Sequence, residues 1–215
     1  MPEFPEAGPA EAVNLGEPTE PRPAATVILL REEPAAGGLE LLLLKRSPEA
    51  RFMPNVWVFP GGAVDRADGE GVEGLRTCAK RELEEEAGLS LAHDHDLVTM
   101  TRWITPEVVQ TRFDTWFFLA RAPAKAEPQP DGREMTESLW IGPGTAVEQA
   151  GLGELAVSFP TLRQLEALSR FPNTDSALEA AAANPRAHEP ILPKVVGSLE
   201  EFRVLLPDDD DYPED

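Results

Sequence analysis

The stretch RELEEEAGL, from Arg81 to Leu89, carries four glutamates within five positions. Its composition favours a helix, and Gly88 near its end suits the left-handed conformation that closes many helices. Glutamates three or four residues apart on a helix repel one another, at a cost of a few tenths of a kcal/mol for each pair. A chain that accepts this repulsion is expected to use the acidic cluster for something other than packing.

The four glutamates do not all point the same way. At about 100° per residue, Glu82, Glu85 and Glu86 fall within roughly a third of the helix circumference, whereas Glu84 points to the opposite side. The three convergent glutamates continue an apolar stripe that consists of Leu75, Cys78 and Ala79. Clustered carboxylates on such a stripe need a cation, and oxygen ligands of this kind suit Mg²⁺ or Mn²⁺. Taken alone, the three glutamates could equally form a solvated helix face.

The spacing around the cluster resembles the box of the Nudix hydrolase superfamily, G-x5-E-x7-R-E-U-x-E-E-x-G-U, where U is aliphatic. Every specified position of segment 73–89 agrees, beginning with Glu73 and including Arg81 eight residues later. The front of the box differs from the family pattern, because the family spacing calls for a glycine where this chain has Ala67. Gly62 stands eleven residues before Glu73 in place of six, so we expect a box loop lengthened by five residues over 63–73.

The resemblance implies an α+β fold, an α/β/α sandwich with a mixed sheet and a loop–helix–loop metal site. Glu82, Glu85 and Glu86 would be Mg²⁺ or Mn²⁺ ligands, joined by the carbonyl of Gly62. A salt bridge between Glu73 and Arg81 would fix the loop to the helix. The implied reaction is attack of a metal-activated water on a diphosphate that links a nucleoside phosphate to a moiety X. The bound cations would reconcile an acidic protein with an anionic substrate.

A second stretch, LLLKRSPEARFMPNVWVFPGGAVDRAD at 42–68, resembles the signature upstream of the box in coenzyme A diphosphatases of this superfamily. Leu44 and Asn55 depart from that signature, which has threonine and glycine there. The signature residues assigned to substrate binding are Arg46, Arg51, Gly61 and Gly62. Guanidinium groups match phosphate oxygens, although Arg46 could instead end a strand and pack its stem.

The resemblance therefore predicts hydrolysis of CoA or acyl-CoA to 3′,5′-ADP and phosphopantetheine or its acyl derivative. A diphosphatase for ADP-ribose, NADH or a related nucleotide is the alternative among enzymes. A Nudix module that senses a nucleotide without hydrolysis is the alternative from another class, and the intact acidic set argues against it. The candidates for a general base are four acidic residues of later loops and strands: Glu107, Asp114, Glu134 and Glu137.

Composition limits the partners and the location. The chain has 215 residues and a net charge of −20, so its field repels nucleic acid and anionic membranes. Cys78 is the single cysteine, which excludes an intrachain disulfide and favours a reducing compartment. The sequence has no apolar run of the roughly 20 residues that a membrane span needs, and no signal pattern. We therefore expect a cytoplasmic protein with a small nucleotide substrate.

Apolar periodicity divides the chain into a disordered Pro/Glu-rich tail at 1–23, one domain at 24–206 and an acidic tail at 207–215. We expect a helix over 73–89 and a closing hairpin within 194–206. Strands are expected at 25–32, 39–46, 56–59, 97–104, 112–120 and 137–142. Two further helices are expected within 160–185, where they could pack on the sandwich, cover the substrate or form a homodimer contact.

Overall fold

The computed structural model describes residues 14, 16–33, 37–50, 53–92, 96–197 and 202–213. These residues form a mixed eight-stranded sheet with helices on both faces, and a separate two-stranded hairpin. The α+β sandwich with a mixed sheet that the sequence predicts is therefore confirmed. Among the described helices, none is long and apolar enough to cross a membrane.

The elements follow the predicted order with four additions. The strands are β1 (Arg22–Glu32), β2 (Leu39–Arg46), β3 (Trp57–Val58), β4 (Gly61–Ala63), β5 (Val98–Ile104), β6 (Phe113–Arg121), β7 (Met135–Ile141), β8 (Pro190–Ile191), β9 (Lys194–Gly197) and β10 (Phe202–Leu205). The helices are α1 (Gly71–Ala87), α2 (Pro143–Gly151), α3 (Phe159–Leu168) and α4 (Thr174–Ala182), and a 3₁₀ turn spans Arg66–Asp68. The additions are β4, β8, α2 and the 3₁₀ turn.

Strand β1 lies at the centre of the sheet, whose order is β3-β2-β1-β6-β5-β8. It forms a hairpin with β2, pairs in parallel with β6, and pairs with β4 at its N-terminal end. Strand β7 pairs with β2. The central position explains why β1 is almost continuously apolar, since both of its faces are covered. The pairing with β4 brings the two glycines of the FPGG stretch against the middle of the sheet.

Alternate residues of the central strands face two different cores, as the pleat of a strand requires. The α1-side core joins Ala25, Val27 and Leu29 of β1 to the apolar stripe of α1. The α3-side core joins Ile28 and Leu30 of β1 to the helices α2, α3 and α4. The helical segment predicted at 160–185 therefore packs on the sandwich, on the face opposite α1.

Residues beside both limits of the predicted domain contact the rest of the structure. Strand β1 begins at Arg22, two residues before the expected start, because Arg22 and Pro23 already pair with β6. At the other end, the hydroxyl of Tyr212 donates to the carbonyl of Leu192 at 2.7 Å. Several residues assigned to the two tails thus contact the domain. Residues 1–13 lie outside the described part of the chain.

Candidate active site

Two glycines bring strand β4 against both its neighbour β1 and the helix α1. A Cβ atom at Gly61 would lie 2.4 Å from Oγ1 of Thr26, and one at Gly62 would lie 2.4 Å from Oε1 of Glu82. Gly61 requires glycine, because the Ala25 carbonyl oxygen and Thr26 Cα would also lie within 2.7 Å of its Cβ. A side chain at Gly62 would displace the Glu82 carboxylate. The Gly61 N–H donates to Oε2 of Glu86 at 2.9 Å. The helix carboxylates and the backbone of β4 therefore form one compact group of oxygens.

Arg81 organises the acidic face of α1 through three carboxylates. Its Nε and Nη2 each lie 2.9 Å from an oxygen of Asp68, in a bidentate pair. Its Nη1 donates to Glu82 at 2.7 Å and to Glu85 at 2.9 Å. The pair with Arg81 also lowers the pKa of Asp68, whose side chain is only 3% exposed. A single guanidinium thus ties the loop after β4 to the second half of the helix.

The predicted salt bridge between Glu73 and Arg81 is wrong. Glu73 lies in the first turn of α1, its side chain is 78% exposed, and its ion pair is with Arg76 at 3.9 Å. Two turns of helix separate it from Arg81, so its carboxylate cannot reach the guanidinium. Asp68 holds the position that the box assigns to a glutamate.

The sequence contains the signal for this arrangement at the front of the motif. Asp68 follows Gly62 by six residues, which is the spacing of the box glycine and glutamate. Asp68 precedes Arg81 by thirteen residues in place of eight, so the five additional residues fall after the acidic residue and not before it. They form the end of the loop and the start of α1. Counting back from the helix assigned the role to the wrong acidic residue.

Glu86 is the buried member of the cluster, with 5% of its surface exposed. Burial raises its pKa to about 8, and the charges of Glu82 and Glu134 act in the same direction. The N–H of Gly61 and the charge of Arg46 oppose this rise. Burial also raises the pKa of Glu82. A pair of carboxylates that resists ionisation in this way suits a site for a cation.

Arg46 and Glu134 lie close enough to Glu86 for their charges to act on it. Arg46 ends β2, at an irregularity in its pairing with β7. The backbone of Glu134 is fixed beside it, because its carbonyl accepts from the Ser47 N–H at 2.8 Å. Asp131 accepts from the N–H groups of the turn that leads into β7, including that of Met135 at 2.8 Å. The side chain of Glu134 itself is exposed.

The other acidic candidates occupy different surroundings. Glu137 pairs with Lys45 at 2.8 Å, and Asp114 forms a bidentate pair with Arg102 at 2.6 and 2.8 Å. Glu107 is exposed in the turn between β5 and β6. Of the predicted substrate-binding residues, Arg51 lies outside the described part of the chain. Glu84 is exposed, as its direction on the helix predicts.

Cys78 lies beneath the site and is fully buried. Its Sγ is 3.6 Å from the carbonyl oxygen of Gly62 and 3.5 Å from that of Ala63. Burial raises the pKa of the thiol to about 12, so the sulfur stays protonated and donates to these carbonyls. The thiol therefore has a packing role and is no nucleophile.

The donor set fits a hard divalent cation chemically. Glu82 and Glu86 lie against the backbone of β4, Glu85 lies on the same side of α1, and Mg²⁺ prefers carboxylate and carbonyl oxygens. Within the part of the chain that the structure describes, no three acidic, cysteine or histidine side chains are already grouped at metal-binding distances. The bonds from Arg81 to Glu82 and Glu85 account for this spacing, because they draw the two carboxylates toward the guanidinium.

Comparison with known proteins agrees with this geometry. The model of the NUDIX domain family matches residues 20–158. A Caenorhabditis elegans protein provisionally named nudix hydrolase 7 is 30% identical over 188 residues, covering 72% of this chain and 62% of the relative. Acyl-coenzyme A diphosphatase NUDT19 of Xenopus laevis is 24% identical over 273 residues, covering 82% of this chain and 72% of the relative.

A solved structure extends the comparison to three dimensions. The crystal structure of a NUDIX hydrolase from Alicyclobacillus acidocaldarius superposes with a TM-score of 0.68 at 26% identity. The match covers 78% of this chain and 99% of that chain. The chain spans less than two thirds of the length of the nematode relative, so the likeness concerns the shared domain. With the family model, the fold and the acidic helix in agreement, the chain belongs to the NUDIX domain family.

Proposed function

We propose that this protein hydrolyses the diphosphate of CoA or acyl-CoA, giving 3′,5′-ADP and phosphopantetheine or its acyl derivative. The observation that carries the proposal is the contact of Glu82 and Glu86 with the backbone of Gly61 and Gly62. This contact joins a buried acidic pair to the FPGG stretch of the coenzyme A signature. Family membership supports the broader activity, which is hydrolysis of a nucleoside diphosphate linked to a moiety X.

The residues that would hold Mg²⁺ or Mn²⁺ are Glu82, Glu85 and Glu86, with the carbonyl oxygen of Gly62. A bound divalent cation supplies charge neutralisation for the diphosphate and a lower pKa for a bound water. Arg81 binds Glu82 and Glu85, so these two carboxylates would turn from the guanidinium to ligate a cation. The raised pKa of Glu86 means that cation binding must displace a proton from its carboxyl group at neutral pH.

Arg46 is the residue proposed to bind the substrate diphosphate. Arg46 ends β2, and its charge acts on Glu86 and lowers the pKa of that carboxyl group. A guanidinium binds phosphate oxygens in a bidentate way and orients them, which a point charge does less well. With a divalent cation bound to the acidic helix and Arg46 opposite it, the diphosphate would be held between two positive groups.

Glu134 is the residue proposed to accept a proton from the attacking water. It is the candidate whose charge acts on both Glu82 and Glu86. Glu137 and Asp114 are already engaged in ion pairs, with Lys45 and Arg102 respectively. The exposed carboxylate of Glu134, on a turn fixed by Asp131, can reach a substrate without moving the strand.

The choice of CoA over other diphosphates rests on the signature at 42–68 and on the similarity to the Xenopus acyl-coenzyme A diphosphatase. The competing activity is hydrolysis of ADP-ribose, NADH or a related nucleotide. Binding of a nucleotide without hydrolysis is the competing function from another class. In all three functions the protein binds a nucleotide, and the functions differ in the product that the protein releases. A cytoplasmic location is also proposed, on the single cysteine.

One substrate panel separates these functions. Purified protein with Mg²⁺ is incubated with CoA, acetyl-CoA, ADP-ribose, NADH and a dinucleoside polyphosphate, and the products are identified by mass spectrometry. Release of 3′,5′-ADP from CoA or acetyl-CoA is the expected result. Cleavage of ADP-ribose or NADH alone would refute the CoA assignment. Nucleotide binding without turnover, with either Mg²⁺ or Mn²⁺, would refute the enzymatic function.

A further inference from the structure

Arg46 lies between two irregular strand pairings, one on each edge of β2. On the edge that continues β3, the Arg46 N–H donates to the carbonyl of Val56 at 2.9 Å, and the Asn55 N–H donates to the carbonyl of Arg46 at 3.2 Å. Two consecutive residues thus face a single residue of β2, which is the bond pattern of a β-bulge. Asn55 occupies the additional position of this bulge.

The pairing of β2 with β7 is irregular at the same point. Lys45 pairs with Glu137, whereas Arg46 pairs with Met135, so Thr136 is an additional residue on β7. Bulges bend a strand, increase its twist and change the direction of nearby side chains, and they are common next to active sites. A bulge on each edge therefore fixes the orientation of the Arg46 backbone.

The bulge beside β3 depends on the backbone conformation of Asn55, whose φ of 63° lies in the left-handed region. A bulge of this kind usually has glycine at that position, because a Cβ atom makes the left-handed conformation costly. Asparagine is one of the few other residues that adopt this conformation routinely. The side chain of Asn55 is exposed, and the bonds that define the bulge are made by the backbone.

This conformation accounts for the departure of Asn55 from the coenzyme A signature, which has glycine there. Glycine and asparagine can both take a positive φ, so either residue can supply the N–H that bonds to the carbonyl of Arg46. A β-branched residue at this position would be strained. The departure therefore preserves the conformation of the chain beside Arg46.

Two groups of the acidic site depend on this part of the backbone. The charge of Arg46 acts on Glu86. The next residue, Ser47, donates its N–H to the carbonyl of Glu134 at 2.8 Å. A shift of the Arg46 backbone would therefore change the positions of a cation and of an acidic residue together.

We propose that Asn55 is a positioning residue, whose left-handed backbone holds the bulge that directs the Arg46 guanidinium to the substrate diphosphate. The inference rests on the proposed function in one respect, which is the role of Arg46 in binding the diphosphate. A guanidinium binds phosphate oxygens in a fixed geometry, so a small rotation of its backbone weakens binding more than it would for a point charge.

Binding of a diphosphate that cannot be hydrolysed tests the proposal. The affinity of the full-length protein for α,β-methylene-ADP, in which carbon replaces the bridging oxygen, is measured by calorimetry with Mg²⁺. Arg46→Gln should weaken binding by about 10- to 100-fold, which is the loss expected for hydrogen bonds from a charged group. Asn55→Val should weaken it by at least about fivefold, because a β-branched residue disfavours positive φ. Asn55→Gly should stay within about twofold of the wild type, since glycine adopts this conformation freely.

Combining Asn55→Val with Arg46→Gln separates positioning from a general loss of structure. Because Asn55 acts through Arg46, the double variant should bind no more weakly than Arg46→Gln alone. Lys125→Val is the matched control. Lys125 has a φ of 60° in the exposed turn after β6, so its substitution causes similar backbone strain away from Arg46 and should leave the affinity unchanged.

Wild-type affinity in Asn55→Val would overturn the proposal, and so would an equal loss in Asn55→Gly or in Lys125→Val. A further loss when Asn55→Val is added to Arg46→Gln would also overturn it, because the two residues would then act independently. Unchanged affinity in Arg46→Gln would overturn it together with the proposed role of Arg46. None of these measurements requires turnover, so they are distinct from failure of the hydrolase assignment.

Discussion

Asp68 and Arg81 form a bidentate ion pair in which both N–O distances are 2.9 Å. The pair joins the turn after β4 to the second half of α1, and the remaining guanidinium nitrogen binds Glu82 and Glu85. Asp68 thus controls the position of two proposed metal ligands without contacting them. The long box loop closes onto the helix through this one side chain.

Removal of the Asp68 charge should separate its role from that of Glu73. We expect Asp68→Asn to destabilise the protein by about 2 kcal/mol and to lower activity, because Arg81 loses the partner that orients it. Glu73→Gln should change stability by less than about 0.5 kcal/mol, since Glu73 is exposed. Thermal unfolding and turnover of both variants provide the measurement. A larger loss of stability and activity in Glu73→Gln than in Asp68→Asn would instead support the salt bridge between Glu73 and Arg81 that the sequence predicts.

The direction of each glutamate on α1 predicts its importance. We expect Glu86→Gln to abolish turnover, because the proposed site loses a buried ligand that also binds the Gly61 N–H. Glu84→Gln should remain near wild type, since Glu84 is exposed on another side of the helix. Initial rates at saturating Mg²⁺ measure both. Equal losses in the two variants would contradict the assignment of faces.

A comparison of two glutamate variants tests Glu134 as the proposed general base. Glu134→Gln should lower kcat by about 10²- to 10⁴-fold with little change in KM, which is the range for loss of a general base. Glu137→Gln is its control, since Glu137 is committed to Lys45. A greater loss of kcat in Glu137→Gln would exchange the two roles.

The raised pKa of Glu86 predicts that the metal-free protein loses stability as the pH rises. The folded state keeps a proton on Glu86 up to about pH 8, whereas the unfolded chain releases it near 4.5. Because the folded state binds more protons between these values, the free energy of unfolding should fall across this window by on the order of 5 kcal/mol. Denaturant unfolding in a chelator, at pH 5, 7 and 9, measures the effect.

Glu86→Gln serves as the control for this pH dependence, because it removes the titrating group. Its stability should be flatter over the same window than that of the wild type. Mg²⁺ should stabilise the wild type more at pH 9 than at pH 6, because the cation competes with the proton for the carboxylate. Stability that rises from pH 5 to pH 8 in the metal-free wild type would contradict the burial of a protonated Glu86.

Local sequence patterns predicted the elements whose signals are local. Apolar runs gave the hairpin of β1 and β2, and the acidic helix ends at Gly88, whose φ of 65° lies in the left-handed region. Helix α2 escaped prediction because its buried residues are only Pro143 and Ala146, too few for an apolar stripe. The proline at its first position is the one available signal.

The sequence predicted which carboxylates of α1 form the site, but not which residues they contact. The spacing of Glu82 and Glu86 fixed their common direction, since helix geometry depends on the local chain alone. The partner of Arg81 depends on how the loop before α1 folds back onto the helix. Aligning the motif from the helix backwards placed the five additional residues before the acidic residue, whereas they follow Asp68. The neighbours of Glu86 from β2 and the turn before β7 depend on the register of distant strands.

The parallel pairing of β1 with β6 has a consequence for how the protein forms. Arg22 pairs with Phe113, which lies 91 positions later in the chain. During synthesis, α1 emerges well before Phe118 and Ala120 of β6, which complete its apolar contacts. Closing so long a loop is slow compared with forming a hairpin or a helix. A nascent chain therefore exposes the apolar side of the acidic helix until β6 is made, and this interval is when it most needs protection from aggregation.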